Sequence, residues 1–163
     1  MSIADLIVED GTGLPNADSY VAIAEADQYF TDRPTHKYST NWSGASEDNK
    51  KSTLRIATET LDNMYVFKVA KSLETQALRF PIKDGTEVPL NIKKAVIELA
   101  SRALVGELLE DSDGKILESE KYDVVEFHYK TTSVVPQKIY TVVEGFLKPY
   151  IASKNCFTVE LCR

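Results

Sequence analysis

Cysteine, histidine and tryptophan are scarce in this chain of 163 residues, which has two Cys, two His and one Trp. Both cysteines, Cys156 and Cys162, fall close to the end, too clustered to staple the body of a fold. They read as free thiols of a reducing compartment. His36 and His128 have no neighbours at ligand spacing, with no HxxxH and no CxxC, so no metal site is expected. No apolar run approaches the ~18 residues of a membrane span. The start, MSIADLIVEDG, lacks the basic region and apolar core of a signal peptide, so a soluble intracellular product without a membrane partner is expected. Positive charge is also short: 19 Lys and Arg stand against 25 Asp and Glu, a formal net charge of -6. That balance opposes a large sequence-blind grip on phosphate, which needs a basic footprint to release counterions.

Catalytic signatures are missing as well. There is neither a GxSxG elbow nor a Cys in a family-like context. Gly11-Thr12-Gly13 lacks the third Gly and the Lys-Ser/Thr ending of a phosphate loop, so it reads as a turn. The acid pairs Glu9-Asp10, Glu47-Asp48 and Glu110-Asp111 fall at helix starts or in loops, where solvation and helix dipoles explain them. The expectation is a protein that is no enzyme and carries no cofactor.

What is present is an ordinary globular composition, 43% hydrophobic and 27% charged, of a length that suits one domain. Leu6-Ile7-Val8 followed by Asp10-Gly11 and Pro15-Asn16 predicts an extended N-terminal arm over residues 1–18. From Ser19 the spacing of Val21, Ala24, Ala26 and Tyr29-Phe30 is helical, and this helix ends before Pro34. Residues 31–45 are polar and read as a long loop carrying Trp42, either a lid ring over the core or a partner contact. Ser46 is an N-cap for a second helix with Leu54, Ala57, Leu61 and Met64 on one stripe.

Val88-Pro89 opens the strongest helix, whose stripe Ile92, Val96, Leu99 and Ala103 faces a core while Lys94, Glu98 and Arg102 form a wet charge ladder. Val125, Phe127 and Tyr129 alternate with polar residues, predicting a β-hairpin at about 116–130. Pro136 starts a last helix with Ile139, Val142, Val143 and Phe146 on one face, closed by Pro149. With Leu78 and Phe80 these apolar positions make the expected core. The fold class is therefore mainly α: a small helical bundle over 19–150 with a β-hairpin, and extended N- and C-terminal arms.

The segments TQALRFP (75–81) and VPLNIKKAVIELASRAL (88–104) resemble a tailed-bacteriophage family. Its members are described either as head-to-tail connector (adaptor) proteins or as DnaT-like single-stranded-DNA-binding proteins. LIVEDGTGLPNADSYV, AIAEADQYF and SEKYDVVEFHYK occur in the expected order. Two departures stand out: Ala22 where a Ser or Thr cap is usual, and a two-cysteine end, NCFTVELCR.

The connector reading implies a structural virion protein in the neck, assembled in host cytoplasm as a ring below the portal protein. Related architectures make it a dodecamer. Its partners are then portal, a tail or second neck (terminator) protein, copies of itself, and duplex DNA that passes through the lumen without specific binding. A weakly acidic lumen suits that passage, because a basic one would trap phosphate.

On this reading Phe157, Val159 and Leu161 in the 151–163 tail dock on portal as an added strand. Trp42, Phe127 and Tyr129 are then candidates for subunit contacts. The alternative is a DnaT-like single-stranded-DNA-binding protein of phage replication, kept open by the basic spots Lys68-Lys71 and Lys93-Lys94.

Overall fold

The computed structural model describes residues 3–83, 85–109, 115–117, 129–131 and 139–154. The chain divides into two compact units, Met1–Leu108 with Tyr140–Asn155, and Leu109–Ile139 with Cys156–Arg163. In the first unit lie α1 (Ile23–Thr31), α2 (Ser39–Gly44), α3 (Glu47–Met64), β1 (Tyr65–Phe67), α4 (Leu90–Ala103), α5 (Thr141–Leu147) and β4 (Ile151–Lys154). The described part of the second holds the antiparallel pair β2 (Lys115–Leu117) and β3 (Tyr129–Thr131). Mainly helical structure with a hairpin matches the expected class.

The core of the first unit is the seam of α3 and α4, with α5 laid on α4. The Ser46 side chain accepts the Asn49 N–H at 3.2 Å, so the capped start expected for α3 is present. Leu54, Ala57 and Leu61 are fully buried, and they face Ile92, Val96 and Leu99, equally buried. Leu78 and Phe80 join them from the chain between these helices. At α1, Ala22 offers no side-chain cap, and two other groups stand in for one. Glu25 Oε2 accepts the Ala22 N–H at 3.1 Å, and the Ser19 hydroxyl accepts the Val21 N–H at 3.1 Å.

The arm is extended as expected and is fastened to α3. Arg55 donates to Asp18 Oδ2 at 2.7 Å and to the carbonyls of Ala4 and Asp5, both at 2.9 Å. Glu9 is buried, and its carboxylate accepts the N–H groups of Gly11, Gly13 and Leu14 at 2.8–2.9 Å. The Gly11-Thr12-Gly13 amides that would greet a phosphate thus hold the chain's own anion. Gly11 has φ +98°, and a Cβ there would run into the Thr86 carbonyl.

Five expectations need correction. Residues 39–44 of the supposed loop form a helix, α2, because Trp42 turns inward: it is 1% exposed, stacks on Phe30 at 5.4 Å and donates to Asp27 Oδ1 at 2.7 Å. Glu98 does pair with Arg102 at 2.6 Å as the charge ladder requires, but it is not wet, being 1% exposed beneath Tyr29 and His36. α5 begins at Thr141, so its buried stripe is Tyr140, Val143 and Leu147, whereas Ile139 and Val142 are 69% and 49% exposed. Ala103 and Phe146 are only partly buried.

Finally, the chain after Pro149 does have an internal strand partner. β4 pairs antiparallel with β1, Tyr65 opposite Lys154 and Phe67 opposite Ile151, so residues 151–154 of the expected tail belong to the body. β1 was invisible as an element because only three residues alternate buried, exposed, buried.

The segment between β1 and α4 is tied down at one polar node. The Tyr20 hydroxyl donates to Asp62 (2.8 Å to Oδ1, 2.9 Å to Oδ2) and accepts the N–H groups of Arg79 and Phe80 at 2.7 and 3.0 Å. The Arg79 N–H also reaches Asp62 Oδ2 at 2.8 Å. Burial pushes the Asp62 carboxyl up from 3.8 to about 6, and the Tyr20 phenol up as well.

Leu99→Ala is expected to lower stability by about 2–5 kcal/mol, read as a shift in urea midpoint, because the side chain is fully enclosed. A folded-state value above the unfolded one means Asp62 favours folding fully below about pH 4, a contribution lost as pH rises through 6. Asp62→Asn keeps an acceptor for Tyr20 but no charge. From pH 4 to 7.5 the wild type should therefore lose about 2 kcal/mol relative to this variant in paired denaturation curves. A constant difference across that range would show that burial does not perturb Asp62.

Candidate nucleic-acid interface

Residues 68–83 are rich in cations and poor in acids, and the fold closes them into a double-backed loop. Lys71 and Ile82 form an antiparallel bridge, Ser72 N–H donates to the Pro81 carbonyl at 3.0 Å, and Lys83 N–H to that of Ala70 at 3.0 Å. Gln76, 3% exposed, braces the interior: its Oε1 accepts the Leu73 N–H at 2.8 Å and its Nε2 donates to the Leu78 and Pro81 carbonyls at 2.9 and 3.0 Å. The Lys68 N–H donates to the Tyr150 carbonyl at 2.9 Å, which brings the end of α5 alongside.

Backbone closure thus puts Lys68, Lys71, Arg79 and Lys83 on one loop, and the Tyr150 contact brings the chain two residues beyond Lys148 to its start. Arg79 is held by its Nη2 donating to the Val69 carbonyl at 3.0 Å, and Lys71 Nζ lies 3.2 Å from the Gln76 carbonyl. Among the described residues none of these five cations is in an ion pair. Elsewhere Lys50, Lys51, Arg55, Lys93 and Arg102 all meet carboxylates within 2.6–2.8 Å. Glu74 is the acid exposed on the same loop, and Asp62 is buried beneath it. Val66, Val69 and Leu73 are 40–46% exposed here, and Tyr150 is half-buried against Phe80 at 6.2 Å. Such a face offers ammonium and guanidinium groups to phosphates and apolar surface to bases.

The residues singled out from the sequence fare unevenly. Trp42 is sealed in the core and presents no ring to a neighbouring subunit, because Phe30 and the Asp27 carboxylate hold it inside. Tyr129 lies in β3 opposite Leu117. Phe127, Phe157, Val159 and Leu161 lie outside the described residues. Of the basic spots, Lys68-Lys71 is joined by three further cations, while Lys93 pairs with Glu25 at 2.7 Å and Lys94 sits 6.0 Å from the Phe146 ring. Arg79, Lys83 and Lys148 were missed singly, since only the loop closure and the β1–β4 pairing make them neighbours. The low acid content of 68–83 was the readable signal.

The described residues contain no group of His, Cys, Asp and Glu that could hold a metal ion, and none of their helices is long and apolar enough to cross a membrane. No curated protein and no solved structure matches the chain. One family model does, over residues 4–163, and its description names binding rather than catalysis. With nearly the whole length matched, the chain belongs to the family described as "Putative DnaT-like ssDNA binding protein".

Proposed function

We propose that the protein binds single-stranded DNA through the cationic face of Lys68, Lys71, Arg79, Lys83 and Lys148. The observation that carries this reading is the segregation of charge. A chain with six more acids than bases nonetheless puts Lys68, Lys71, Arg79 and Lys83 on one loop with Lys148 near its start, none of them in an ion pair among the described residues, and the buried Asp62 is the carboxylate that faces Lys71 and Arg79. Unneutralised charge kept at one place favours a polyanion there. The exposed Val66 and Val69 and the Tyr150 ring give unpaired bases something to lie on, which a duplex with its bases stacked inside would not use. The net charge of -6 works against a polyanion, so affinity is modest, indifferent to sequence and strongly dependent on salt.

Fluorescence anisotropy with an oligo-dT strand is expected to show binding that weakens with a log–log salt slope of about 2–3.5, the range for three to five phosphates neutralised on a single strand. Lys68→Glu with Lys83→Glu should weaken it more than about tenfold, and the matching duplex should bind less well. Binding unchanged by this double reversal, or absent at low salt, would overturn the assignment.

A second reading is favoured by the net charge of -6, which suits a surface past which DNA slides. Here the protein is a head-to-tail connector in the virion neck, a ring, on the family analogy a dodecamer, between portal and a tail or terminator protein. Phe157, Val159 and Leu161 would seat on portal, and Phe127 and Tyr129 would meet neighbouring subunits. Each subunit would need two different side surfaces for the ring to close. Mass photometry of the protein alone and mixed with portal is the test. A closed ring, or a ring seated on portal, supports this role, and a monomer indifferent to portal removes it.

A further inference from the structure

A second cluster of rings and cations lies where the turn after α1 meets α4, and it shares no residue with the loop of 68–83. Its base is the buried carboxylate of Glu98. Tyr29 Oη donates to Glu98 Oε1 at 2.7 Å, His36 Nε2 lies 3.0 Å from the same oxygen, and Arg102 donates to Oε2 at 2.6 Å. These contacts fix the turn between α1 and α2 on the surface of α4, so that its outward residues are held rather than free to sample many positions. His36 is spent on this brace, with its ring packed 5.3 Å from Phe30 and 6.0 Å from Tyr38.

Above the brace stands Arg33. Its guanidinium carbon is 3.9 Å from the centre of the Tyr29 ring, and its Nη1 donates to the Tyr29 carbonyl at 3.0 Å. The guanidinium is therefore backed by the tyrosine ring and tied to the main chain by a hydrogen bond. Lys37 is exposed four residues on, 5.3 Å from the Tyr38 ring. Neither Arg33 nor Lys37 is in an ion pair among the described residues.

A guanidinium already stacked on an aromatic is a flat, cationic platform whose remaining face suits a nucleobase, since cation–π attraction and stacking act together there. Lys37, four residues on along the same turn, would supply an ammonium for the phosphate of the same nucleotide. Rotamer freedom of Arg33 has been surrendered in advance, so less is lost when a ligand arrives.

We infer that Arg33, backed by Tyr29, and Lys37 form a second nucleotide-binding site, in which a base stacks on the guanidinium and its phosphate meets the lysine. The ligand class rests on the nucleic-acid reading given above, whereas the residues are independent of it. The same chemistry would accept a free nucleotide or one unit of a strand, and the two sources separate by experiment.

The test is NMR titration of the 15N-labelled full chain with dAMP and, separately, with the trinucleotide dA3. Saturable shifts are expected at the Arg33 side-chain Nε–Hε and the Lys37 amide. They should persist in the Lys68→Glu, Lys83→Glu protein. Arg33→Lys, which keeps the charge and removes the plane, should weaken binding at this site about fivefold or more. It should leave the response of Lys68 untouched. Lys37→Glu, at an exposed position, should weaken it too.

The trinucleotide binding at least about tenfold tighter than dAMP identifies a strand as the source, and equal affinities identify a free nucleotide. The inference is overturned if only Lys68 and its neighbours respond, or if Arg33→Lys binds as well as wild type. Shifts confined to Arg33 and Lys37 would uphold this site while removing the cationic loop as the DNA contact. Silence at both places would remove both.

Discussion

The buried contact between the Tyr20 hydroxyl and the Asp62 carboxylate is where the N-terminal arm, α3 and the segment before α4 are made one body. Neither group is easily hidden alone, since an unsatisfied carboxylate or phenol in the interior is strongly destabilising. Each satisfies the other, and the amides of Arg79 and Phe80 complete the set. Phe80 is thereby delivered to the core, edge-on to Tyr20 at 5.8 Å and to Phe67 at 5.0 Å. Arg79 is delivered to the surface beside Lys71 and Lys83. A single polar node thus places an apolar anchor and a cationic face with the same stretch of backbone.

The same device recurs at three turns among the described residues. Glu9 organises the Gly11–Leu14 turn, Gln76 the loop of 68–83, and Glu98 the turn between α1 and α2. All three are almost completely buried. A loop held by one enclosed polar side chain can expose its remaining residues without becoming loose, which is what a preorganised binding surface requires. Both candidate nucleotide contacts sit on loops of this kind. Paired cations, by contrast, serve as fasteners, Arg55 for the arm and Lys93 for α1 against α4.

Periodicity made the main helices legible. The stripes of α3 and α4 follow from apolar residues at three- and four-residue spacing, and Ser46 marks the start of α3, because helix caps and amphipathic faces are local properties. The hairpin of β2 and β3 was likewise readable from alternation. Family membership was legible in TQALRFP and the helix after it, and the competing phage roles attached to that likeness could not be separated by any local pattern.

Composition and local spacing by themselves determined the fold class, the α3–α4 core and the acidic balance of the chain. Tertiary structure decided which polar residues go inside and which cations become neighbours. Trp42 could be read as a lid ring over the core or as a partner contact, and Glu98 as one rung of a wet charge ladder, until Phe30, Tyr29 and His36, arriving from other segments, enclosed them. Ile139 looked internal because it precedes an apolar helix, and the phase set by Val143 and Leu147 turned it out. Lys68 and Tyr150 are 82 residues apart in the chain and meet through one backbone hydrogen bond beside a three-residue strand, which brings the Lys148 end of α5 to the loop. Burial and charge proximity are properties of contacts between distant segments, and those contacts are set by how the helices dock.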